Sequence, residues 1–112
     1  MVDGLIAVIF NDLAYLSCFM DPPENLSASR EYLAELRFYV PEQEWSERFP
    51  EYLHTEATLL CREAKATRSM EKLLEADSKL KLALKNRTTN RFIELQNEID
   101  RLRVDLQGGS QP

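Results

Sequence analysis

Between Pro50 and Gly108 the chain contains neither proline nor glycine, and leucines recur through that stretch at helical spacing. A run without glycine or proline lacks the turn chemistry that many short strands need, which favours helix in the C-terminal half. Tyr52, Leu53, Leu60, Ala64, Met70, Leu73, Leu74, Leu80 and Leu84 form one apolar stripe. Phe92, Leu95, Ile99, Leu102 and Leu106 form a second, whose steps alternate between three and four as in a coiled-coil seam. Unbroken, a helix over 51–107 would reach roughly 85 Å. Helix propensity falls only across Asn86, Arg87, Thr88, Thr89 and Asn90. Either the helix passes through this segment with a shift of seam, or it turns back as a hairpin with Thr89 or Asn90 capping the last arm. The lack of a glycine to close the earlier arm favours continuity.

The N-terminal half is punctuated by prolines. Val2 to Met20 reads as a helix with Leu5, Ile6, Ile9, Leu13, Leu16 and Met20 on one stripe, widened by Val8, Phe10, Tyr15 and Phe19, so most of its sides need cover. Leu5 to Phe10 would also suit a strand, because Val8 and Ile9 are β-branched. The segment does not read as a membrane span. No Lys or Arg precedes it, Asn11 and Asp12 interrupt it, and it falls short of the roughly 20 apolar residues that spanning needs. Asp21, Pro22 and Pro23 end it. Ser27 or Ser29 is expected to cap the next helix, with Tyr32, Leu33, Leu36, Tyr39 and Val40 on its stripe. Pro41 and Pro50 each open a new helical turn, the first carrying Glu42 and Glu44 near its positive end.

The expected fold is therefore all-α. Short helices in residues 1–50 pack on a long amphipathic helix over 51–107, making one domain over 1–107 with a disordered tail over 108–112. A chain of 112 residues buries only about two-thirds of its unfolded surface, so pairing with a second copy is an expected source of stability. Phe92, Leu95, Ile99, Leu102 and Leu106 are the candidate dimer seam.

Charge is unevenly spread. Residues 1–61 carry eleven acids against three arginines, whereas residues 62–91 carry nine bases against four acids, within a formal net charge of −5. Lys65, Arg68, Lys72 and Lys79 step along one helical face and would be the residues of a nucleic-acid surface. No aromatic interleaves them, and Glu75 with Lys79 and Asp77 with Lys81 stand in the favourable i,i+4 order of an ordinary solvated face. The solvated face is the preferred reading.

Little in the sequence points to reaction chemistry. His54, the sole histidine, follows Glu51 by three residues, the arrangement of carboxylate-bridged di-metal bundles, and Glu47 lies one turn earlier. A solvent-facing or capping histidine is the expectation, so no metal and no cofactor is assigned, with Glu51 and His54 as the alternative ligands. Glu44 and Glu47 form an ExxE pair, but no glutamate is followed by aspartate three residues later, as all-helical pyrophosphatases require. Cys18 and Cys61 lack CxxC spacing, which suits reduced thiols in the cytoplasm. Tyr39, Trp45, Phe49 and Tyr52 gather near the prolines, either as cover for the first helix or as a partner-binding corner.

Leu73 to Leu84 with Arg87 resembles the late helix of flagellar export chaperones, small all-α proteins that bind partners through amphipathic helices. The likeness is an analogy for the kind of protein. The expectation is a non-enzymatic protein–protein interaction module, an adaptor, chaperone or inhibitor working by helix packing. Nucleic-acid association and a di-metal bundle are its alternatives.

Overall fold

The structure, a computed structural model, describes residues 2–19 and 25–108, and every regular element among them is helical. Helix α1 spans Val2–Ser17 and ends where the Cys18 and Phe19 N–H groups donate to Tyr15 and Leu16, i→i+3 bonds that tighten the last turn. Pro22 and Pro23, expected to stop it, lie outside the described residues, as does the tail beyond Gly108. Helix α2 spans Asn25–Tyr39 and so begins ahead of both serines expected to cap it. Ser29 is instead buried, its Oγ donating to the Ala14 carbonyl of α1 at 2.8 Å. A 3-10 turn at Glu42–Glu44 leads into α3, Trp45–Arg48. Pro50 then occupies the first turn of α4, Pro50–Thr67, where its missing N–H costs nothing.

The long helix expected over 51–107 is three helices: α4, α5 over Met70–Asn86 and α6 over Asn90–Gly108. At the first break Arg68 adopts the left-handed conformation, φ 54° and ψ 43°, and its N–H and that of Ser69 both return to the Ala64 carbonyl. This closure normally uses glycine, and an L side chain there costs about 1–2 kcal/mol. Ser69 offsets part of that cost by capping α5, its Oγ accepting the Lys72 N–H at 3.2 Å. At the second break Arg87 is extended, and Thr89 Oγ1 accepts the Phe92 N–H. The hairpin reading of residues 86–90 thus describes the chain, and continuity does not.

Helix α4 is the centre of the molecule. It packs most extensively on α5, while α1, α2, α3 and α6 also reach it, and every residue from Tyr52 to Cys61 is buried. Helix α6 leans chiefly on α5. Phe92, Leu95, Ile99 and Leu102 are therefore buried within the single chain, with Leu106 half-buried against the same core. The seam expected to join two copies pairs with α4 and α5 of its own chain, because the turn at 87–89 folds α6 back. Trp45, wholly buried, donates its indole N–H to the Val40 carbonyl at 2.9 Å.

One charged cluster ties these layers together. Arg37 of α2 donates to Glu42 and to Glu56 of α4, and Lys79 of α5 lies 3.4 Å from both carboxylates. Burial alone would raise the Glu42 carboxyl, but Arg37 and Lys79 hold it below the usual range. At the more deeply buried Glu56, loss of solvent wins and the carboxyl is raised despite the same two cations.

Candidate functional site

The first helix is turned opposite to the sequence expectation. Its inward face is made of small residues: Ala7 and Ala14 are fully buried, and Ser17 and Cys18 nearly so. Small side chains let α1 lie close on α2, where Ser29 Oγ meets the Ala14 carbonyl and stands 3.4 Å from Cys18 Sγ. Phe10 closes the same contact by stacking on Tyr39 at 5.9 Å. Placing the large aliphatics here would hold the two backbones apart, so they point outward.

Leu5, Val8, Ile9, Leu13, Leu16 and Phe19 are consequently exposed, Leu5 by 64% and Leu16 by 59%. Together they place on the order of 500 Å² of apolar surface in water, the upper part of the range for the largest patch on a monomer, which often has a function. Leu5, Ile9, Asp12, Leu16 and Phe19 follow one another in steps of four, three, four and three, the spacing of a coiled-coil seam. Asp12 is exposed midway along it, and none of the ion pairs among the described residues includes Asp12. The sequence carried a sign of this arrangement in Ala7, Ala14 and Cys18, spaced by seven and four on the face opposite the leucines.

At the C-terminal end of α1 a cleft of about 360 Å³ opens toward α4 and α6, walled by Tyr15, Phe19, His54, Arg91, Leu95 and Arg101. Arg91 lies over the Tyr15 ring and Arg62 over Phe19. His54 is buried, stacked on Phe92 at 4.8 Å. Burial first, and Arg91 second, bring its imidazole down to about 4, so it is neutral at pH 7. The solvent-facing or capping histidine expected from sequence is thus a core histidine.

The other expected sites are dispersed or occupied. Glu51 pairs with Arg87 at 2.6 Å while His54 faces Phe92, and among the described residues no three His, Cys, Asp or Glu gather as a metal-binding group. The break at Arg68 divides the basic stripe between two helices, leaving Lys65 and Arg68 at the end of α4 and Lys72 and Lys79 on α5. Arg68 lies 3.6 Å from Asp105, Lys72 3.7 Å from Glu63, and Lys79 is held in the charged cluster. Lys65 is exposed. Trp45 and Tyr52 are buried, Phe49 stacks on Tyr52 at 5.0 Å, and Tyr39 is half-buried against Phe10, so these rings are packed within the chain. Cys61 is buried, and burial pushes its thiol up to about 11, far from a nucleophilic thiolate.

Among the described residues no helix is long and apolar enough to cross a membrane. Compared with known proteins, the chain matches no family model, and no curated protein or solved structure matches it.

Proposed function

We propose that this chain is a non-enzymatic protein–protein interaction module, an adaptor or chaperone-like protein, that binds by packing a partner helix against the outer face of α1. The observation that carries this reading is the inversion of α1, which buries Ala7, Ala14 and Cys18 and leaves Leu5, Ile9 and Leu16 in water. Covering the exposed part of each of these leucines contributes on the order of 1 kcal/mol, so a helix laid along this face has a driving force of several such contributions. An amphipathic helix in an apolar seam is a common mode of peptide recognition. The packing of α6 within the chain also moves the interaction surface away from Phe92–Leu106 to the first helix.

A photo-crosslinking side chain at Leu16, tested in extract of the native host, should give a discrete higher-mass adduct, whereas one at the exposed Glu31 should not. With the crosslinker kept at position 16, combining Leu5→Lys with Ile9→Lys should abolish the adduct while leaving the helical circular dichroism and the thermal midpoint nearly unchanged. Adducts that appear equally at both positions, or survive the double substitution, would overturn the reading.

A further inference from the structure

We infer that the partner helix belongs to a different protein and sets a lysine or arginine opposite Asp12. This rests on the outer face of α1 being a docking surface, and it names the chemistry of the occupant. In the seam Leu5, Ile9, Asp12, Leu16, Phe19 the single charged position is the central one. In a parallel pairing of two copies Asp12 faces Asp12. In an antiparallel pairing a positions face d positions, so each Asp12 lies against Ile9 or Leu16 of the other copy. The first brings two carboxylates together in a drying interface and the second buries each against an apolar side chain, so in neither does the acid gain a cation.

No residue of α1 is a lysine or arginine, so a second α1 has nothing of its own to set against the acid. A cation on a foreign helix removes the desolvation problem and fixes the register, the role a lone polar residue plays in a coiled-coil seam. The surrounding charge agrees, since residues 1–61 carry eleven acids against three arginines. The apolar patch, on the order of 500 Å², approaches the roughly 800 Å² that each partner of a stable complex contributes.

The test uses the full chain and two synthetic amphipathic helical peptides, identical except for arginine or glutamate midway along a leucine seam. The arginine peptide should bind about tenfold more tightly than the glutamate peptide, and Asp12→Arg should reverse that order. Sedimentation should show the native chain monomeric, and Asp12→Leu should convert it into a dimer. Equal affinity for the two peptides would overturn the inference while leaving α1 as a docking surface. Binding of neither would overturn both. A native dimer that Leu16→Lys dissociates would identify a second copy as the occupant and overturn the inference.

Discussion

His54 shows how much a single side chain can depend on what folds over it. Its neutral ring lies between Tyr15 and Phe92, and folding lowers its proton affinity from the ordinary 6.5 to about 4. The unfolded chain therefore binds the proton more readily than the folded one, and stability is lost as pH falls from above 6.5 toward 4. Between pH 7 and 4.5 this group alone should cost about 2–3 kcal/mol. His54→Phe, which keeps a ring between its two neighbours, should lose that much less than the native chain over the same interval in urea titrations. Equal acid sensitivity in the two proteins would contradict the buried, neutral assignment. The sequence showed that His54 was alone, but not that it was covered, because that depends on α1 and α6 closing over α4 from opposite ends of the chain.

Helices were legible as helices; their ends were not always. Pro41 and Pro50 announced the starts of the 3-10 turn at Glu42–Glu44 and of α4 because proline acts locally, through its own dihedral angle and missing donor. The break at Arg68 gave no such notice, since arginine takes a left-handed conformation only when tertiary contacts compensate. Arg68→Gly should accordingly raise stability by about 1 kcal/mol by relieving that strain. The lost pairing with Asp105 joins two well-exposed side chains and contributes little. A lower urea midpoint for the variant would contradict the account. The outward turn of α1 escaped the usual rule for the same reason. Hydrophobic spacing marks which residues share a face, and here the choice of inner face was made by how closely α2 can approach small residues.

The whole molecule is held by an apolar core and by ion pairs between helices, among them a four-membered cluster. Arg37, Glu42, Glu56 and Lys79 come from α2, the 3-10 turn, α4 and α5, so their association was invisible to any local reading. Glu56→Ala leaves two partly exposed cations sharing one remaining carboxylate and should destabilise the fold by about 1–2 kcal/mol. In a double-substitution cycle with Lys79→Met, the combined loss should be smaller than the sum of the two single losses. Strict additivity would show that the cluster contributes nothing as a unit. Composition and periodicity were sufficient for the all-α class, while the candidate docking face emerged only from the packing of α1. The short connections at Arg68–Ser69 and Arg87–Thr89 have a kinetic consequence as well. Because α5 meets α4, and α6 meets α5, across only two or three intervening residues, little chain entropy is spent in bringing them together. Refolding of this half should be governed by neighbour-to-neighbour zipping, on the microsecond-to-millisecond scale of helical bundles rather than the slower scale of distant strand pairing.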